Sequence, residues 1–225
     1  IIGFDVLDQK GLDRYLIELD GTTNKGKFGA NAVLGVSLAA AKAAAQLCGL
    51  PLYRYLGGVK ASVLPTPMMN IMNGGKHAGG KLKIQEFMIM PKSGIPFKEA
   101  LRNVAEVYHH LGKLLVKKHG VSAKNLGDEG GFAPQLNTAD EALSIISEAV
   151  AAAGLDLGTD IRFALDCAAS EFYDSEKGKY EISEGKWISS EELVDFYVKL
   201  VEKFPALVSI EDGHDEKDYE GWKQM

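Results

Sequence analysis

The sequence predicts an α/β protein in which helices cover the outside of a parallel sheet or barrel. After residue 60, apolar strands that end in polar clusters alternate with helical segments, which is typical of this class. An alanine-rich helical segment precedes them. The 225 residues are 46% hydrophobic and 25% charged, which suits a globular chain with a sizeable core. One large domain or two small domains fit this length.

Helices are predicted first along the chain. Asp5–Glu18 has a weak helical pattern. Ala30–Cys48 is rich in alanine and contains one lysine, so it is expected to be a helix packed closely on most sides and ended by Gly49. The glycine pair Gly57–Gly58 indicates a boundary between this helical unit and the rest of the chain.

Strands and helices then follow with recognisable start signals. Pro96 suits a first helical position. Thr138 with Glu141, and Ser189 with Glu192, have the spacing of capping boxes. The predicted order is strand Leu64–Met72, a glycine-rich loop at Asn73–Gly80, strand Glu86–Met90, a helix from Pro96 through Leu115, a helix from Thr138 to Gly154, strand Ile161–Ala168, a hairpin around Asp174–Lys179, a helix capped by Ser189, and strand Leu207–Glu211.

Composition and motifs argue against several function classes. A net charge of −6 and the absence of a basic stripe disfavour nucleic-acid binding. No apolar run reaches the roughly 20 residues of a membrane span, and no signal-peptide pattern opens the chain, so a cytoplasmic protein is expected. The sequence has no GxGxxG or Walker pattern, which disfavours a generic doubly wound nucleotide-binding domain. Cys48 and Cys167 have apolar neighbours and are expected to be reduced core thiols.

Acidic residues end two predicted strands. Asp166 follows Phe163-Ala164-Leu165, and Glu211 follows Leu207–Ile210. In a barrel both side chains would lie at the mouth that carries active sites, and paired carboxylates suit Mg²⁺. The alternative is that these acids are solvated or cap the next helix.

A second candidate is the run Asn125–Pro134, in which Glu129 lies among glycines and apolar residues. An apolar setting would raise the pKa of such a carboxyl group and make it a proton donor. An ordinary turn with exposed acids is the alternative. His77 in the glycine-rich loop, with Gln85 and Glu86 at the start of a strand, forms a third candidate cluster, and simple solvent exposure is its alternative.

Eight runs spread over nearly the whole chain form one wider pattern: Leu19–Thr22, Gly29–Ala32, Pro51–Gly58, Asn73–Gly79, Gln85–Met88, Gly127–Pro134, Ala164–Tyr173 and Ser209–Asp212. Together they resemble the enolase family, and they appear in the family's order. The Asp166-Cys167 pair and Gly213 are similar to bacterial members, whereas His214 is less usual there. The resemblance implies that residues 1–60 are the C-terminal part of the enolase N-terminal domain. It also implies that residues 61–225 are the first half of the C-terminal TIM barrel, which opens with two antiparallel strands and two helices and is incomplete here.

The resemblance also implies an activity and its parts. Enolases are lyases (phosphopyruvate hydratases) that reversibly dehydrate 2-phosphoglycerate to phosphoenolpyruvate in glycolysis and gluconeogenesis with Mg²⁺. They are cytoplasmic homodimers or larger homo-oligomers, and some bacterial members are secreted or displayed on the cell surface. The implied roles are Glu129 as proton donor with Glu86 beside it, His77 on a mobile loop over the substrate, Gln85, Glu86 and Glu211 in the substrate site, and Asp166 and Glu211 as Mg²⁺ ligands.

Other parts of the family's site are expected outside this sequence. The base lysine, the third metal carboxylate and the phosphate-binding residues would follow Met225, and the loop for a second Mg²⁺ would precede Ile1. The chain is therefore expected to be a fragment that lacks both termini and is inactive alone. The alternative hypothesis is a truncated, non-catalytic remnant that acts as a binding protein.

Overall fold

The computed structural model describes residues 1–127 and 129–225, except for the side chain of His77. The chain forms two compact units, residues 1–64 and 65–225.

The first unit is helical. Helix α1 begins later than predicted because the Asp8 carboxylate accepts a hydrogen bond from the Gly11 N–H (3.0 Å) and caps the helix there. It ends where Gly21 adopts a left-handed conformation with φ of 70°. The helices are α1 (Gln9–Asp20), α2 (Ala30–Leu47) and α3 (Leu52–Gly57).

Close packing of α2 on most sides was a wrong prediction. The helix buries the small side chains Ala41, Ala44 and Ala45, while Leu34 and Leu38 are exposed. The helix contacts α1 and α3, and small residues let neighbouring helices approach closely. By length and composition alone α2 could cross a membrane, but core helices of soluble proteins pass the same test, so this is weak evidence.

The two cysteines lie in different environments, and both are free thiols. Cys167 is buried, as expected. Cys48 is exposed, which corrects the prediction of a core thiol. It directly follows the last residue of α2, where the chain turns, so its apolar sequence neighbours do not enclose it.

The second unit alternates strands and helices. It also contains short 3-10 helices at Val121–Lys124 and Ala169–Phe172. Its elements are β1 (Met69–Asn73), α4 (Gly75–Ala78), β2 (Glu86–Pro91), α5 (Phe97–His119), α6 (Ala139–Ala152), β3 (Ile161–Asp166), β4 (Tyr173–Asp174), β5 (Lys179–Ser183), β6 (Lys186–Ile188), α7 (Ser190–Lys203), β7 (Leu207–Glu211) and α8 (Tyr219–Gln224).

The main sheet has the order β1-β2-β3-β7. Strand β2 is antiparallel to β1 and β3, whereas β3 and β7 are parallel. This order confirms the predicted opening of two antiparallel strands and two helices before β3. Within the described residues the sheet is open between β1 and β7, which fits an incomplete barrel.

The bounds of three strands differ from the prediction, and β2 differs least, since it ends one residue later, at Pro91. Strand β1 begins at Met69 instead of Leu64 because Pro65 and Pro67 lack the N–H groups that a ladder needs. Strand β3 ends at Asp166 because Ala168 has a φ of 45°, which turns the chain out of the sheet.

The core of this unit lies between the sheet and helices α5, α6 and α7. Leu111, Leu143 and Ile146 pack from the helices, and Phe163 and Leu165 pack from β3. All five are fully buried. Helix α7 begins with the predicted capping box, in which Ser189 and Glu192 satisfy each other's backbone N–H groups. This core holds the strand ends in fixed positions.

Candidate active site

Acidic residues lie side by side on three neighbouring strands. Asp166, the last residue of β3, is directly opposite Glu86 in the antiparallel pair and opposite Glu211 in the parallel pair. Adjacent strands are about 4.8 Å apart, so the three residues form a row at one edge of the sheet. The alternation of side chains along strands places residues in register on the same face. The carboxyl groups of Glu86, Asp166 and Glu211 therefore share one environment.

A loop from the other side of β1 brings Glu129 to this row. The backbone of Phe132 pairs with the outer edge of β1, since its N–H donates to the Ile71 carbonyl (3.0 Å) and its carbonyl accepts from the Asn73 N–H (2.8 Å). The ring of Tyr108 stacks on that of Phe132 with centroids 4.4 Å apart. The Tyr108 hydroxyl also donates to the Gly130 carbonyl (2.8 Å). These contacts anchor the part of the loop that directly follows Glu129.

The Glu129 side chain bonds to two groups of the site. Its Oε2 accepts a hydrogen bond from Asn70 Nδ2 (3.0 Å), and its carboxyl group is hydrogen-bonded to that of Glu86. Glu129 is exposed, so the predicted apolar setting for its carboxyl group is wrong. The apolar part of the loop is Phe132, whose side chain points into the core.

Glu86 is the acid of this site whose pKa is raised. Burial, the hydrogen bond to Glu129, and the negative charges of Glu129, Asp166 and Glu211 together raise the pKa of Glu86 to about 8. Each cause disfavours the ionised form. At neutral pH the Glu86 carboxyl group can therefore hold a proton beside an ionised neighbour. Two carboxyl groups that share a proton in this way are common where an acid must donate it.

Two asparagines of β1 support the loop, and sequence reasoning missed both. Asn70 binds Glu129, and Asn73 is fully buried beneath the loop. A Cβ atom on Gly131 would lie 2.2 Å from Asn73 Oδ1 and 3.0 Å from Asn70 Oδ1, so only glycine fits there. Among the described residues neither Oδ1 atom has a hydrogen-bond partner. The available signal was the presence of two amides within an otherwise apolar strand.

The backbone beyond β3 and β7 is strained next to the acids. Ala168 and Asp212 have φ values of 45° and 47°, a region that non-glycine residues seldom adopt. Their segments are bonded together, because the Cys167 N–H donates to the Glu211 carbonyl and the Ala169 N–H to the Asp212 carbonyl, both at 2.9 Å. The two strand ends therefore keep a fixed separation.

The remaining predicted residues lie on the segment between β1 and β2. Gln85 is half-buried and directly precedes β2, and its carbonyl accepts from the Gly74 N–H (2.9 Å). His77 belongs to α4, and its side chain lies outside the described residues. Lys76, next to His77, forms an ion pair with Glu171, which follows β3. This ion pair connects the segment that carries His77 to the loop after Asp166.

The donor chemistry of Asp166 and Glu211 fits a hard divalent cation. Both offer carboxylate oxygens from adjacent strand ends, and the excess negative charge that raises the pKa of Glu86 is a charge that a cation would neutralise. Within the part of the chain that the structure describes, no three His, Cys, Asp or Glu side chains are arranged to hold a metal ion. Asp166 and Glu211 could therefore supply part of a coordination shell.

Comparison with known families agrees with this architecture. Residues 61–225 match the family model for the enolase C-terminal TIM barrel domain, and residues 1–56 match the model for the enolase N-terminal domain. The two matches together span both compact units. On this basis the chain belongs to the enolase family.

Proposed function

We propose that this site serves the reversible, Mg²⁺-dependent dehydration of 2-phosphoglycerate to phosphoenolpyruvate. The observation that supports it is the hydrogen-bonded pair of Glu86 and Glu129 beside the row formed by Asp166 and Glu211. A dehydration needs a proton for the departing hydroxyl group and stabilisation of the negative charge that forms on the substrate. The acid pair and the two carboxylate ligands supply groups for these two tasks.

In this proposal Glu129 donates a proton to the leaving hydroxyl, so that the carbon–oxygen bond breaks and water departs. Glu129 is exposed and accessible to a substrate, and Asn70 orients its carboxyl group. Glu86, with its raised pKa, holds a proton that it can return to Glu129 through their hydrogen bond. Gln85 and His77 would contact the substrate from the segment before β2.

Asp166 and Glu211 would hold the Mg²⁺ ion. When bound, the ion supplies electrostatic stabilisation of the substrate carboxylate as negative charge accumulates there. The rigid backbone after both strands keeps the two ligands at a constant spacing. We assign the removal of the carbon-bound proton to no lysine of this chain.

The test is an assay of the natural full-length protein with 2-phosphoglycerate and Mg²⁺, following phosphoenolpyruvate by its ultraviolet absorbance. We expect product formation that a chelator abolishes. Metal binding can be measured on the 225-residue chain itself by Mn²⁺-induced broadening of NMR signals. Asp166→Asn and Glu211→Gln should each weaken broadening near β3 and β7, while Glu202→Gln, on the exposed face of α7, should not. Activity that ignores the chelator, or equal broadening in all variants, would contradict the metal assignment.

A further inference from the structure

A cavity of about 140 Å³ lies in the second unit, apart from the row of acids. It is bounded by the β5–β6 hairpin, helix α7, the start of α6 and the segment Leu82–Ile84. Leu82, Ile84 and Leu193 are at most 5% exposed and form its apolar wall together with Phe172. The cavity is therefore a preformed apolar space within one folded unit.

Ion pairs hold the wall in place. Lys83 Nζ lies 2.5 Å from Glu181 Oε2, with both side chains half-buried, and Lys81 Nζ lies 3.2 Å from Glu184 Oε2. Glu181 Oε1 also accepts from the Gly185 N–H (2.9 Å), which fixes the hairpin turn. The Leu82–Ile84 segment is thus fastened to the hairpin, and the space between them does not depend on a ligand to form.

Two lysines, Lys83 and Lys186, line the cavity, and the described lining residues include no Asp or Glu. Lys83 is paired with Glu181. Lys186 on β6 is exposed at the lining and also interacts with the Glu192 carboxylate, so it is the lysine that a ligand can reach. Ser183, Asn137 and Thr138 add polar groups to the lining. An apolar wall with a lysine fits a ligand that has an apolar body and one negative charge.

The cavity volume limits the size of the apolar part of the ligand. A cavity of about 150 Å³ lined by Leu, Ile and Phe side chains accommodates benzene. We propose that this cavity binds a small monocarboxylate whose apolar part is the size of one six-membered ring. The ring packs between Leu82, Ile84 and Leu193, and the carboxylate forms a charge-assisted hydrogen bond with Lys186 Nζ.

Benzoate is a suitable probe, and benzamide is its uncharged counterpart. The 225-residue chain, labelled at Leu, Ile and Val methyl groups, would be titrated with each compound and followed by NMR. We expect benzoate to shift the methyl signals of Leu82, Ile84, Ile182 and Leu193 in a saturable way. We expect benzamide to bind at least about tenfold more weakly, since it lacks the charge.

Lysine variants distinguish benzoate binding in this cavity from nonspecific electrostatic attraction to the protein surface. Lys186→Gln should weaken benzoate binding about tenfold and leave benzamide binding unchanged. Lys179→Gln is the matched control, because Lys179 is exposed on the same hairpin, does not line the cavity, and its replacement changes the net charge equally. Equal benzoate affinity in the two variants, or methyl shifts centred elsewhere, would overturn the proposal. The absence of any methyl shift up to the solubility limit of benzoate would also overturn it.

Discussion

The carboxyl group of Glu86 is hydrogen-bonded to the carboxyl group of Glu129. One of the two must carry a proton for this bond to exist, and the surroundings of Glu86 favour its protonated form. The residues are 43 positions apart in sequence and meet because the Phe132 backbone extends the edge of β1. The proposed chemistry of the site depends on this contact.

Replacement of Glu129 tests the proposed proton donor. Glu129→Gln keeps an acceptor for Asn70 but removes the acidic proton, so the proposed turnover of 2-phosphoglycerate should fall at least about 10²-fold. The Michaelis constant should change far less. Glu202→Gln serves as a control of equal charge change on α7. Near-normal turnover of Glu129→Gln would remove the donor role.

The raised pKa of Glu86 predicts a pH dependence of stability. In the absence of divalent metal, the folded chain keeps the Glu86 proton up to about pH 8, whereas the unfolded chain releases it near 4.5. The native state therefore binds more protons in this window, and its free energy of unfolding should fall as the pH rises. The Glu86→Gln variant has no titrating group at this position. Its free energy of unfolding relative to that of the unsubstituted chain should therefore increase from pH 5 to pH 8. Urea unfolding at both values measures this, and a constant difference would contradict the assignment.

Asp218 predicts the opposite pH dependence. Burial alone would raise its pKa, but hydrogen bonds from Ser190 and Tyr180 outweigh burial and lower the pKa of Asp218. The Tyr180 hydroxyl lies 2.7 Å from Asp218 Oδ2. The resulting stabilisation is present above the ordinary pKa near 3.8 and is lost as the pH falls through the lower folded value.

Asp218→Asn should therefore cost about 1–3 kcal/mol of unfolding free energy at neutral pH and less in acid. Asp195→Asn, at an exposed position of α7, is the control and should stay within about 0.5 kcal/mol. An equal loss at pH 3 and pH 7 for Asp218→Asn would argue against an ionic contribution.

Gly131 should tolerate no side chain. An added methyl group would lie 2.2 Å from Asn73 Oδ1, so Gly131→Ala must displace either a buried amide or the loop that carries Glu129. We expect the free energy of unfolding to fall by about 1–3 kcal/mol and the NMR signals of that loop to shift. Gly80→Ala is the control, since its methyl group would meet Gln135 at 3.4 Å, an ordinary contact. Similar stability of the two variants would show that the loop relaxes freely.

The cysteines should differ in reactivity. Burial, the largest cause, raises the pKa of Cys167 to about 12, so its thiol is both inaccessible and un-ionised at pH 8. Cys48 is exposed. A thiol reagent should modify one cysteine quickly in the folded chain and both in urea, and Cys48→Ser should abolish the fast reaction. Fast modification of Cys167 in that variant would place it nearer the surface.

The local features of the fold were predictable because they depend on neighbouring residues. The capping residues Thr138 and Ser189 mark the starts of α6 and α7, and the strand Leu207–Glu211 has the predicted bounds. The family motifs also predicted the fold class, since each one combines residue types with a spacing along the chain. The bounds of β1 were less accurate because apolar residues between prolines resemble a strand in pattern alone.

Distances between remote residues required the tertiary structure. Sequence reasoning named both Glu86 and Glu129 as candidates but predicted the raised pKa for Glu129, because of its apolar loop. The raised pKa is that of Glu86, and it depends on burial and on acids from three other segments. The support from Asn70, the exposure of Cys48 and the cavity beside Lys186 likewise result from packing between distant parts of the chain. The amino-acid sequence was sufficient to predict the family, the order of the main elements and a set of candidate site residues. Which of these candidates meet depends on the tertiary structure, because proximity, burial and charge interactions arise only when separate segments fold together.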